Sequence, residues 1–218
     1  MISDRARVTS IPAAPGCNSG GSSEMESRVE CGSLAVDPTL RDTSEVATAI
    51  AGALIVATFL IALVVDVGFA AEARRWLAFG FAGLPVRPAE AVSVCRHNLG
   101  ALLAVAGLLV IAQTPYWAGE TRPGRSHRLV RGAGEVLLCG AVAANVAVVG
   151  ASFGAYGARM TRAALPHGPL ELGAFSLALG LYVKGRDRPI AVGLMVFVGV
   201  LSVAGLAIAA LLEVYVTV

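Results

Sequence analysis

The chain has 218 residues, 56% of them hydrophobic and only 15% charged, with a mean hydropathy of +0.73. Soluble domains carry about 25% charged residues, and here the apolar residues come in long blocks, so the composition argues against a water-soluble domain and predicts an all-α, polytopic membrane helix bundle of about five spans. The formal net charge of +2 provides no electrostatic footprint for a nucleic-acid partner. Cys17, Cys31, Cys95 and Cys139 match no zinc or disulfide spacing. Cys95 and Cys139, at or in apolar segments, read as small packing residues.

In chain order, residues 1–44 form a polar tail rich in Gly, Pro and Ser, with no N-terminal apolar core of the kind a signal peptide needs. Too little apolar area is present to offset chain entropy, so disorder is expected there, and residues 45–218 form the transmembrane domain. The first span runs from about Val46 to Val67, with no charged residue between Ala49 and Val65 and Asp66 closing it. Thr43 and Ser44 are capping candidates for its start.

Residues 68–96 are a connector. Phe69, Ala73, Trp76, Leu77, Gly80, Phe81 and Leu84 fall at helical spacing with Glu72, Arg74 and Arg75 between them. That pattern predicts a short amphipathic helix in the interface, Trp76 at headgroup depth; simple continuation of the first span is the alternative. Leu84-Pro85-Val86-Arg87-Pro88 then breaks the helix.

The second span covers about Asn98–Gln113, or starts earlier from Ala89, with Arg96-His97-Asn98 at its mouth and Pro115-Tyr116-Trp117 at the far interface. Thr121–Arg131 is a basic loop. The third span, about Glu135–Ala158, carries Asn145 near its middle and Gly150, Gly154 and Gly157 near its end. The small residues predict close approach of another helix, and Asn145 is expected to hydrogen-bond across helices or to line a polar path.

The stretch Leu165-Pro166-His167-Gly168-Pro169-Leu170-Glu171 opens the fourth span, which ends near Val183. Pro166 and Pro169 suit a first helical turn, where the missing N–H has no partner anyway. His167 and Glu171 are four apart and so share a face. Two readings remain open for them: a structural pair at the positive helix end, held by Arg162 or Asn98, or a functional site, since ionisable groups inside a membrane are expensive. Lys184–Pro189 is a tight basic turn, and the fifth span is about Ile190–Val214, with Glu213 solvated at headgroup depth. Eleven of the 17 Lys and Arg residues fall on the side of the tail, the Thr121–Arg131 loop and the basic turn. The positive-inside rule then puts the N-terminus in the cytoplasm and the C-terminus outside.

Leu165-Pro-His-Gly-Pro-Leu-Glu-Leu-Gly-Ala174, followed by a span rich in small residues, resembles the signature of the stage II sporulation protein M family. In that family a Pro-His-Gly-x-x-Glu-x-x-Ala motif opens a late span. His97-Asn98 is similar to the family's Asn-rich start of an earlier span, and Asn145 with Gly150 to its Asn…Gly element. The resemblance covers about residues 90–183. Pro169 stands where the family usually has an apolar residue, and His97 replaces one of a pair of Asn; His167 and Glu171 are both kept.

The resemblance implies a multi-pass bacterial inner-membrane protein whose namesake works with peptidoglycan-degrading proteins during engulfment, and no established catalytic activity. The expected function is a non-enzymatic scaffold that recruits partners in envelope remodelling. Its expected partners are the lipid bilayer and other membrane proteins, either peptidoglycan-remodelling proteins or an ATPase subunit. The alternative is a transporter or permease subunit with His167, Glu171, Asn98 and Asn145 along a polar path. An intramembrane enzyme is the weakest reading: His97, His127 and His167 lie apart, with no ligand spacing for a metal, and no cofactor motif is present.

Overall fold

The computed structural model describes residues 38–77, 88–120 and 124–216. These form seven helices and, among the described residues, no strand: α1 Pro38–Gly68, α2 Ala70–Leu77, α3 Pro88–Trp117, α4 Arg125–Tyr156, α5 Ala158–Ala164, α6 Gly168–Gly185 and α7 Val192–Tyr215. Four of them, Leu40–Gly68, Ala91–Trp117, Arg125–Tyr156 and Val192–Tyr215, are long and apolar enough to cross a bilayer. The fifth expected span is α6. It has 18 residues, about 27 Å at 1.5 Å per residue, and it sits inside, packed against α1, α3 and α7.

The polar tail expected over residues 1–44 lies outside the described residues up to 37. From Pro38 the chain is already helical, earlier than the composition indicates. Proline suits that first position, and tertiary contacts hold the turns that follow. Thr43 is 1% exposed, Leu40 packs on the core, and Asp42 Oδ2 meets Lys184 Nζ at 3.3 Å. Further along, one face of α1 (Val56, Phe59, Leu60, Leu63, Val64) is exposed and apolar, as a lipid-facing stripe must be.

The opposite face of α1 meets α4 where the sequence places small residues. A Cβ at Gly150 would lie 2.8 Å from Ile61 Cβ and 2.9 Å from the Thr58 carbonyl oxygen; one at Gly154 would run into the Ala62 carbonyl and lie 2.8 Å from Val65 Cβ. The two backbones are therefore close enough that only hydrogen fits. Gly157 does something else. It has open space around it and a φ of +54°, a conformation that favours glycine, and it turns the chain from α4 into α5. A third close approach was not legible: Gly180 of α6 faces the Thr43 carbonyl oxygen, where a Cβ would sit at 2.9 Å.

The amphipathic connector helix is present as α2, with Trp76 89% exposed. It docks on α4 through Arg74, whose Nε donates to the Ala155 carbonyl at 2.6 Å, one of the last carbonyls of α4 that lack a helical donor. Residues 78–87, with most of the expected Leu84–Pro88 break, lie outside the described residues. Pro88 is the first residue of α3, so the second span takes its earlier start. The basic loop is also shorter than expected, because α4 begins at Arg125. Arg131 there lies 3.7 Å from Glu135 one turn on and 3.7 Å from Asp187.

Pro115 lies inside α3. Without an N–H it cannot serve the carbonyl four residues back, that of Ile111. His127, in the first turns of α4, supplies the missing donor: its Nε2 lies 2.6 Å from the Ile111 oxygen. A carbonyl only accepts, so Nε2 carries the proton in this contact. Two helices are thus tied at the point where one lacks its own bond. Close by, Gln113 is 0% exposed. Its Nε2 donates to the carbonyls of Gly185 (2.5 Å) and Arg188 (2.9 Å), and its Oε1 accepts from the Ile190 N–H (2.9 Å). One buried amide therefore fixes the turn between α6 and α7. Apolar layers fill the bundle between its two ends: Val105, Leu108, Leu109, Ala112, Leu181 and Val198 nearer Gln113, and Leu102, Ala174 and Leu206 farther from it.

Candidate functional site

At the end of the bundle away from Gln113, three helices contribute polar groups to one open cleft of about 460 Å³. The N-terminal part of α3 supplies Ser93, His97 and Asn98; the start of α6 supplies His167 and Glu171; the last turns of α7 supply Glu213. Antiparallel packing of α7 against α3 and α6 brings these sequence-distant groups to one level. The central bond is Asn98 Nδ2 donating to Glu171 Oε1 at 2.5 Å, across 73 residues of sequence. Glu171 also lies within electrostatic range of His167 and Glu213.

The local structure of the motif differs from the expectation in detail. The helix starts at Gly168, so Pro166 lies in the preceding turn and only Pro169 occupies the first helical turn. His167 stands at the N-cap position, but its side chain makes no capping hydrogen bond. The backbone carbonyl of His167 accepts from the N–H groups of Leu170 (3.1 Å) and Glu171 (3.2 Å) instead. The imidazole is left free to line the cleft, with Nδ1 buried and without a hydrogen-bond partner among the described residues. At Gly168 a Cβ would meet only Ala164 Cβ, at 3.9 Å, so no close approach demands glycine there.

Of the sequence-predicted site residues, His167, Glu171 and Asn98 come together. Asn98, and not Arg162, is the partner of Glu171. Asn145 does not join them. It is exposed on α4, and its Nδ2 donates to the Ala141 carbonyl one turn back, at 3.0 Å. The helix satisfies the amide locally, so no interhelical partner is needed. Cys139, expected to pack, is likewise exposed. Glu213, besides Ser93, is a cleft residue that sequence reasoning missed. Expected in solvent, it is half-buried in the cleft. The available signal was that it is the single charged residue of α7.

The cleft is blind. Leu102 lies one turn below Asn98 and Ala174 one turn below Glu171, and with Leu206 they form a buried apolar floor. Leu206 is 0% exposed. Below it, the Ser202 hydroxyl is occupied by the Ala174 carbonyl at 3.2 Å. Among the described residues no group of three His, Cys, Asp or Glu side chains is arranged to hold a metal ion. The arrangement can bind a polar or charged group presented from one side of the membrane. No protein-family model, no curated protein and no solved structure matches this chain.

Proposed function

We propose that the protein is a non-enzymatic, multi-pass membrane subunit that recruits a partner protein through the cleft between α3, α6 and α7, in the envelope-remodelling role that its resemblance to the stage II sporulation protein M family implies. The observation that carries this reading is the apolar floor beneath Asn98 and Glu171. A transport path needs polar groups that continue through the bundle, whereas a docking cleft needs only a mouth. The excess of Lys and Arg at the Gln113 end supports a cleft on the outer face of the cell membrane, with the N-terminus in the cytoplasm. Reporter fusions after Arg188 and after Val218 test that orientation; the same location for both overturns it.

The functional test is a photo-reactive residue placed at Val94, on the rim of the cleft, in native membranes. Val148, exposed on α4, is the control position. The expected outcome is a discrete protein adduct from Val94 alone, with a peptidoglycan-remodelling protein as its other half. Identical products from both positions refute the docking role. An ATPase subunit as the adduct transfers the reading to a permease assembly.

A further inference from the structure

The chemistry of the cleft selects what can fill it. Its lining sets two carboxylates, Glu171 and Glu213, beside the neutral polar groups of Ser93, His97, Asn98 and His167. Glu171 has one oxygen engaged by Asn98, Glu213 forms no ion pair or hydrogen bond among the described residues, and His167 Nδ1 is buried without a partner. One of the two Asn98 amide N–H donors is engaged by Glu171. Among the described residues no Lys or Arg lines the cleft, and none lies within ion-pair distance of either carboxylate. Two half-buried carboxylates with no Lys or Arg partner, and with only His167 near enough to offset Glu171, are costly, and the cost is relieved when a counter-charge with several N–H donors enters.

We propose that the cleft accepts one organic cation, the ammonium or guanidinium head of a lysine or arginine side chain carried by the partner protein. This rests on the docking role above and names its chemistry. An ammonium brings three donors and a guanidinium five, which answers the two carboxylates together. The apolar stem of either side chain suits the Leu102 and Leu206 floor beneath. A lipid amine headgroup fits less well: it carries a phosphate beside its ammonium, and among the described residues the lining holds no fixed cation to receive it.

The test uses the purified full chain in phosphatidylcholine nanodiscs, titrated with n-butylammonium and n-butylguanidinium as side-chain probes while thermal unfolding is followed. A saturable rise in the unfolding midpoint is expected with either probe. The apparent affinity should fall by roughly tenfold or more in Glu171→Gln and in Glu213→Gln, because each removes one of the paired charges. Glu72→Gln, on exposed α2, should leave it unchanged. Absence of a saturable rise, or an equal response in both cleft variants, overturns the proposal. Should either variant fail to fold, carbodiimide labelling of the wild-type carboxylates decides: butylammonium must protect Glu171 and Glu213, and unprotected labelling overturns it. Loss of the response in phosphatidylethanolamine nanodiscs reassigns the cation to a lipid and overturns the side-chain identity. A Val94 adduct without any cation response leaves the docking role standing and removes only this chemistry; a cation response without an adduct removes the partner.

Discussion

The tie between Pro115, Ile111 and His127 allows a quantitative test. The Ile111 carbonyl accepts from His127 because Pro115 has no N–H to offer it. Replacing His127 by Phe keeps a ring of similar size and removes the donor, which should cost about 1–3 kcal/mol if the carbonyl is left without a partner. The single substitution is a poor measure, since it also deletes His127 Nδ1, a buried atom with no partner, and that deletion is favourable. A double-mutant cycle removes the ambiguity. Pro115→Ala restores the N–H that can serve Ile111 from within α3, so in that background the loss of the histidine donor should matter little. The Nδ1 contribution is the same in both backgrounds and cancels. The coupling energy between the two sites should therefore be about 0.5–3 kcal/mol, in the direction that makes His127→Phe less harmful beside Ala than beside Pro. On the scale of 150–250-residue soluble domains, 1 kcal/mol moves the unfolding midpoint by about 2–4 °C. Reversible unfolding of the four proteins in one detergent resolves a difference of that size. Additive effects, within about 0.3–0.5 kcal/mol, would refute the claim that His127 replaces the donor lost to proline.

Three further outcomes follow from named contacts. Gly154→Ala and Gly154→Leu should each destabilise by about 1–3 kcal/mol, the larger residue more, because the added atoms meet the α1 backbone; a wild-type unfolding midpoint for Gly154→Leu would show that α1 and α4 do not meet there. Gln113→Leu frees the carbonyls of Gly185 and Arg188 and the Ile190 N–H, at about 1–3 kcal/mol for each group left buried; limited proteolysis between residues 185 and 190 should accelerate, and an unchanged cleavage rate would contradict the anchoring role. Glu171→Gln retains an oxygen to accept from Asn98 and should fold with near wild-type stability while losing the Val94 adduct, whereas Glu171→Ala should cost about 1–3 kcal/mol as well; full complementation of a deletion strain by the Gln variant would rule out a functional carboxylate at this position.

The sequence by itself determined the elements. A long uncharged run without strand alternation satisfies its backbone in a bilayer as a helix, whose bonds are internal, so the four long apolar helices could be placed from composition, though not their exact ends. Local patterns also carried through where the physical cause is local: the α2 amphipathic helix and the Gly150–Gly154 approach. Which face of each helix meets protein, and which meets lipid, was decided only by the tertiary structure. In water, burial separates apolar from polar faces and leaves a periodic trace in the sequence. Here lipid and protein interior are both apolar, and that trace fades. Asn145 and Gln113 are both amides in apolar helices, yet one lies on the exposed surface, bonded to its own helix, and the other lies wholly buried, holding a turn 72 to 77 residues away. Gly157 reads as a packing residue by spacing and is a turn by its backbone angles. Glu213 reads as a solvated end residue and lines the cleft, because whether the last turns of α7 stand beside Glu171 depends on how three helices cross, a long-range property that no local stretch encodes.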